Sequence, residues 1–444
     1  MKRVKAIFLL SMAVSITACQ EEIKQDSIDL ISSSTMEFDW DGGKQMLEFE
    51  ASGAWKAASS EAWCSLSSKS GSYLAKMFYV TAEANDKSEG RTAVITLTCG
   101  SATKEVTVKQ SEASDTTSVH PSEKPEDVYV IPGDDIANHT PITPEGKDNW
   151  TKTEVMDGIT YWEFKGRDPV SKAYQYIHVS EVDLNKGYRL GYLYDPDYNK
   201  EDHMTTCSKV MSQTGAIISM NGGFGATQIF IKIDGKIYKK IDKNKNSTTG
   251  VLNWRNDAGI CTSPEGRVFI ANAIFSQDGD GQSEYGKQLA EQRKFFQDTL
   301  KDMPNIISGA PLLIDGYTPL GVTYIPEGES YRKHENDTEH PFYHQDYRHP
   351  RTAIGITGDN RLIMMVVNGR LSNCSGFNAK EMTNFLVENF DPKYAMNLDG
   401  GGSSTMCVQG LGDPETHVVN WPSGNGKCDH DGERTVQTYL YITK

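Results

Sequence analysis

Residues Asn397-Leu398-Asp399-Gly400-Gly401-Gly402-Ser403-Ser404-Thr405-Met406 put one carboxylate, three consecutive glycines and a run of hydroxyls into a single turn. Consecutive glycines admit φ > 0 and let a ligand approach the backbone closely. Successive N–H groups in such a turn form an anion-binding concavity. Asp399 supplies a base or nucleophile, and Ser403, Ser404 and Thr405 supply hydrogen bonds. A plain glycine hairpin is the simpler reading, but it has no use for an acid on one side and hydroxyls on the other. A dinucleotide fingerprint needs G-x-G-x-x-G opening a helix, and a Walker loop needs Gly-Lys-Ser/Thr; neither is present. The chain has no G-x-S-x-G nucleophile elbow.

A second source of chemistry is the segment from His349 to Arg370. Two apolar runs flank Gly358-Asp359-Asn360, which reads as a β-hairpin. If Thr357 faces Arg361, Arg351 pairs with Val367. Arg351, Asn368 and Arg370 then share the open end within roughly 10 Å, at ~3.3 Å per residue. Two guanidinium forks there match phosphate oxygens, although strand-end arginines are also common structural features. Asn221-Gly222-Gly223 and Ser308-Gly309 are further glycine-bearing strand ends that can join the same rim. Glu381 reads either as the N3 carboxylate of a capping box with Asn378 or as a second catalytic acid. His334, His340, His344 and His349 lack metal-ligand spacing and read as a polar loop. Asp278-Gly279-Asp280-Gly281 departs from the calcium-loop pattern at Ser283 and Leu289.

The elements needed to position these residues follow from periodicity. Residues 175–182, 216–220, 229–233, 267–271, 311–314, 394–396 and 405–408 read as strands, and 286–300 and 379–390 as helices. Met382, Phe385, Leu386 and Phe390 make one helical face. Many strands and few helices predict an α+β domain with mixed or antiparallel sheets over 128–444. Before it, 28–113 alternates with period two in short runs and predicts a small all-β sandwich. Residues 114–127 are polar, carry two prolines and read as a linker.

Lys2, Arg3 and Lys5 precede an apolar stretch that ends at Ile16-Thr17-Ala18-Cys19. That segment is too short to span a bilayer and reads as a signal peptide, 1–19, with Cys19 lipidated. The expectation is a cell-envelope lipoprotein of the outer membrane, touching membrane only through that anchor. The formal net charge of −15 argues against a nucleic-acid partner. An anionic substrate therefore needs a local cationic cluster. Seven cysteines remain after Cys19, in no zinc pattern; Cys407 and Cys428 are candidates for a disulfide.

Taken together, the segments around Asn221-Gly222-Gly223-Phe224, 308–313, 350–355, 367–370, Glu381 and 397–406 resemble the phosphodiester glycosidase family. Trp55, Trp63-Cys64, Ser70-Gly71, Arg91 and 106–110 resemble a BACON domain, an immunoglobulin-like module found on carbohydrate-active lipoproteins. The first resemblance implies hydrolysis of a sugar-1-phosphodiester to free sugar and a phosphate monoester. It implies no cofactor and no metal, and a carbohydrate or glycosyl-phosphate substrate. The implied catalytic residues are Asp399, Glu381, Arg351 and Arg370. Asn221, Gly222, Gly223, Ser308, Thr352, Asn368, Gly400, Gly401, Gly402, Ser403, Ser404 and Thr405 would bind substrate. The chain departs from the family pattern at Asn368, where Asp is usual, at Ala310, where Gly is usual, and at Gly225, often Phe. Asn368 favours a rival reading, a surface protein that holds a glycan or sugar phosphate without turnover.

Overall fold

The computed structural model describes residues 26–40, 42–66, 69–71, 77–113, 129, 131, 141–198, 200, 206–225, 228–242, 253–275, 289–321 and 330–444. The expected signal segment with Cys19, the 114–127 linker, the 278–281 loop and the start of the first expected helix lie outside them. Of that helix, 289–294 is α-helical and Phe295–Thr299 continues as a π turn.

Strands from Ile28–Leu30 to Ala102–Gln110 form one four-stranded and one five-stranded sheet. Alternate residues of Arg91–Cys99 and Ala102–Gln110 are buried, so each strand gives one face to a common core. Trp55 is a core residue at 2% exposure, with Phe49 edge-on at 4.9 Å. Trp63 is half-buried beneath Arg91, whose guanidinium sits 4.3 Å from the ring.

The second half holds sheets of eight, four and five strands, all paired antiparallel. Three sheets meet in one apolar core, to which Met364, Ile218 and Ile260 each contribute from a different sheet. The eight-stranded sheet is buried on both faces. Leu362, Met364 and Val366 point into that shared core, while Ile363, Met365 and Val367 meet the helix Ala379–Asn389. Met382, Phe385, Leu386 and Phe390 all bury there, as the 3.6-residue spacing predicts. Asn378 and Glu381 complete a reciprocal capping box at that helix start, an arrangement worth about 1 kcal/mol.

The hairpin forms with the expected register: Arg351–Ile356 pairs with Arg361–Val367, and Arg351 faces Val367. Its turn is closed by Asn360 at φ 65° and by the Thr357 hydroxyl accepting from Arg361 N at 2.9 Å. Asn is among the few residues that tolerate that left-handed backbone. The triple-glycine segment is not a hairpin loop. It leaves Tyr394–Asn397 in the eight-stranded sheet, makes a single 3₁₀ turn at Gly401–Ser403, and enters Met406–Val408 in the four-stranded sheet. The seven described cysteines are all free; Cys407 is buried and Cys428 exposed, so the candidate Cys407–Cys428 disulfide is not formed.

Candidate active site

Asn221 closes the base of the glycine loop. Its Oδ1 accepts from Thr405 N at 3.1 Å and from the Thr352 hydroxyl at 2.9 Å, and its Nδ2 donates to the Asp399 carbonyl at 2.8 Å. Asp399 N in turn donates to the Gly222 carbonyl at 3.1 Å. Three strand ends are thus bound together around one turn. Asn221, Thr352, Ser308, Ser404 and Thr405 are at most 1% exposed. They form the floor of the site and hold its shape. Ser308 sits deeper still, its hydroxyl donating to Asn256 Oδ1 and accepting from Phe230 N, both at 2.7 Å. Gly223 is packed against Ile229 and Ile307.

Asp399 and Gly400 are the partly open residues of the loop, whereas Gly401 to Thr405 are buried. Loss of hydration pushes the Asp399 carboxyl up to about 6, against the opposing pull of Ser403, the Gly400 amide, Arg255 and Arg434. The expected nest of three amides is largely occupied from within. Gly400 N donates to Asp399 Oδ1 at 2.9 Å and Gly401 N to the Pro350 carbonyl at 2.8 Å. Among the described residues only Gly402 N–H of the three has no partner.

The cationic pair differs from the one expected. Arg351 is 1% exposed, and its guanidinium is engaged: Nε donates to the Phe377 carbonyl at 2.9 Å, Nη2 to the carbonyls of His344 (2.5 Å) and Tyr347 (2.9 Å), and Nη1 to His344 Nδ1 at 3.3 Å. It pins the 344–351 segment from below and cannot offer a free fork. Arg370 is exposed and lies over the loop, so that a Cβ on Gly401 would come 3.1 Å from its Nη1. The second guanidinium on the glycines is Arg434, which a Cβ on Gly402 would meet at 2.6 Å. Neither Arg370 nor Arg434 forms a salt bridge among the described residues. Partial loss of hydration where the Arg370 guanidinium lies against the loop, and then the nearby Arg434 charge, lower its pKa, while Tyr343, Tyr347 and Asp399 raise it. Arg255, 6% exposed and bound to Glu339 at 2.6 Å, is close enough to steady the Asp399 charge.

Glu381 is committed to structure. One of its oxygens takes Asn378 N at 3.0 Å, and both take Arg348, the shortest contact being 2.5 Å. Asn368 Oδ1 accepts from Trp421 N at 3.1 Å, and its Nδ2 is a buried donor without a partner among the described residues. No group of three His, Cys, Asp or Glu residues suited to a metal ion occurs among the described residues.

The phosphodiester glycosidase family model matches residues 214–443, which is 230 of 444 residues and more than half of the chain. The chain belongs to the phosphodiester glycosidase family. A BACON model, described as "Putative binding domain, N-terminal", matches residues 53–111. Over 64 residues the chain is 42% identical to the SPbeta prophage-derived uncharacterized protein YomE of Bacillus subtilis (strain 168). That match covers 14% of this chain and 10% of the other, so the chain spans about a tenth of the length of this curated relative. Among solved structures, the chain is similar to the auto-inhibited catalytic domain of zebrafish N-acetylglucosamine-1-phosphodiester alpha-N-acetylglucosaminidase. That likeness covers 69% of this chain and 87% of the other, at 18% identity and a TM-score of 0.43. A hypothetical protein from Synechocystis matches over 94% and 81% of the two chains, at 11% identity and a TM-score of 0.40.

Arg434 and Arg255 lie beside the glycine loop without having been legible in the sequence. Arg434 lies in a run of turns without periodicity, and a long-range contact positions it. Its neighbour Glu433 accepts from Ser208 N at 2.8 Å and Ser208 Oγ at 2.5 Å, at the start of the helix Cys207–Thr214. An arginine following an acid in a turn-rich tail carries no local mark of that role.

Proposed function

We propose that this phosphodiester glycosidase cleaves the C1–O bond of a sugar-1-phosphodiester, releasing free sugar and a phosphate monoester. The observation that carries this reading is the pair of guanidiniums, Arg370 and Arg434, lying on Gly401 and Gly402 beside the half-open carboxylate of Asp399. A phosphate monoester leaves as a stabilised anion, so it requires less proton donation than an alcohol leaving group. The demand on the protein is positive charge and N–H donors at the phosphate. Arg370, Arg434 and the Gly402 amide meet that demand. Asp399 activates water toward C1, or attacks C1 itself, in its ionised form. Arg255 keeps the carboxylate charged in a poorly hydrated place. Arg351, Asn221, Thr352 and Glu381 hold the frame.

Asp399→Asn is expected to abolish turnover in a folded protein, and hydrolysis in heavy-oxygen water to put the label in the sugar. Label in the phosphate would mean attack at phosphorus and a phosphodiesterase instead. The second reading, glycan or sugar-phosphate binding without turnover, is favoured by Asn368, whose amide cannot act as an acid or base. Calorimetric binding of a panel of sugar-1-phosphodiesters without release of reducing sugar would establish it.

Cys19 is the proposed lipid anchor, placing the enzyme on the cell envelope, supported by the charged, apolar and small-residue order of residues 1–19. Radiolabelled fatty acid should enter the full-length protein and not its Cys19→Ala variant; equal labelling of both would remove the anchor.

A further inference from the structure

We propose that His349 is a positioning residue that fixes the Arg370 guanidinium over Gly401, acting through a neutral imidazole whose proton sits on Nε2. Arg370 Nη2 lies 2.9 Å from His349 Nδ1. A guanidinium has only donors, so the ring nitrogen must be the acceptor. An imidazole that accepts at Nδ1 carries its single proton on Nε2. A second proton would abolish the acceptor and place a third positive charge beside Arg351 and Arg370.

The surroundings keep the ring in place. His349 is 8% exposed, its backbone exchanges hydrogen bonds with Phe377 at 3.1 Å in both directions, and Tyr347 and His344 lie 4.9 and 5.9 Å from it, ring to ring. Tyr343 is 6.0 Å away. The charged and titratable groups facing it are therefore Arg351, Arg370, His344, Tyr343 and Tyr347. Of these the two arginines are cations, and His344 is held neutral by burial first and by Arg351 next.

The other half of the contact needs holding. Arg370 is exposed and sits at φ 58°, a left-handed backbone that a non-glycine residue adopts only under constraint. Its guanidinium is repelled by that of Arg434. The carbonyl of Pro350, the residue after His349, accepts from the Gly401 amide at 2.8 Å. One dipeptide, His349-Pro350, thus grips both partners: the side chain holds Arg370 and the carbonyl holds Gly401.

This inference rests on the reading of Arg370 as a phosphate ligand only for its consequence, not for its geometry. Two measurements on the full chain separate the two. In the wild-type protein, nitrogen-15 correlation spectra of the histidine rings, assigned with His349→Asn, are expected to show the neutral Nε2–H pattern for His349. That pattern should persist between about pH 8 and about pH 5. An Nδ1–H pattern, or titration of His349 in that range, overturns the proposal. Calorimetry with inorganic phosphate is expected to show about tenfold weaker binding for His349→Leu. His349→Asn, whose Oδ1 can accept near the Nδ1 position, should recover to within about threefold of wild type. Equal loss in both variants, or loss in neither, counts against the acceptor role. If the ring pattern is as expected while the wild type neither binds phosphate nor turns over, the phosphate reading fails and the lock stands.

Discussion

Asp399 is short of hydration but well supplied with positive charge, and the balance leaves its carboxyl at about 6 instead of 3.8. On the proposal that the ionised form does the work, kcat/KM is expected to fall as pH drops through about 6. The two nearby imidazoles cannot own that limb: burial, then Arg351 and Arg370, push His349 down to about 2, and His344 also lies well below its ordinary range. A limb that survives in the residual activity of Asp399→Glu but moves with it assigns the group; a limb that stays put assigns another. The same residue makes a stability prediction of definite sign. A carboxyl whose folded-state pKa is raised costs stability above that pKa, and the cost is relieved as pH falls toward the unfolded value. At about 1.4 kcal/mol for each pH unit, the gap comes to on the order of 3 kcal/mol, and less where solvent screens the open edge of the carboxylate. Asp399→Asn should therefore melt higher than wild type above about pH 6, with the difference closing by about pH 4. Activity and stability are therefore expected to move in opposite directions on Asp399→Asn, as for a functional group and not for a structural one.

At the scale of elements, the glycine loop presents bare backbone, and two guanidiniums lie close against it. A methyl at Gly402 would sit 2.6 Å from Arg434 Cζ, the far end of a flexible side chain. A methyl at Gly400 would instead meet the Pro350 carbonyl at 2.7 Å, and one at Gly401 would sit at φ 65°. Gly402→Ala is thus expected to displace Arg434, lowering kcat/KM at least tenfold while shifting stability by less than about 1 kcal/mol. Gly400→Ala should lose both. Equal stability losses in the two would mean that Arg434 is not the part that yields. The hairpin was legible in the sequence to the level of register, because a polar three-residue turn between apolar runs leaves few ways to pair Arg351. The capping box and the apolar helix face were legible for the same reason, since local spacing decides them. The crossing of the glycine loop between two sheets was not, because short apolar strands do not say which sheet they join. Nor was the exchange of Arg351 for Arg434. Whether a strand-end arginine turns toward carbonyls or toward solvent depends on the 344–347 and 377 segments, which arrive from elsewhere in the chain.

At the scale of the whole molecule, the proposed anionic substrate would meet a chain of net charge −15, so attraction would have to come from the few guanidiniums at the loop. None of those guanidiniums belongs to the N-terminal sandwich, and among the described residues the two halves have separate cores with no shared residue. Tyr129 and Ile131 pack on the core around Phe269 and Phe295 in the second half. Tyr129 stacks on Phe269 at 5.6 Å and meets Phe295 edge-on at 5.6 Å. A fragment of residues 128–444 is therefore expected to fold and to keep the kcat/KM of the full chain on a small soluble sugar phosphodiester. A fragment of 141–444 gives up the Tyr129 and Ile131 contacts and should be less stable by about 2 kcal/mol, seen as a melting point several degrees lower. Its rate at low temperature should be unchanged, because neither residue touches the glycine loop or its arginines. If 128–444 folds but turns over more than tenfold slower, the sandwich contributes to the chemistry itself. In that case the confinement of the site to the second half, on which the Asp399 and Arg434 assignments depend, is wrong.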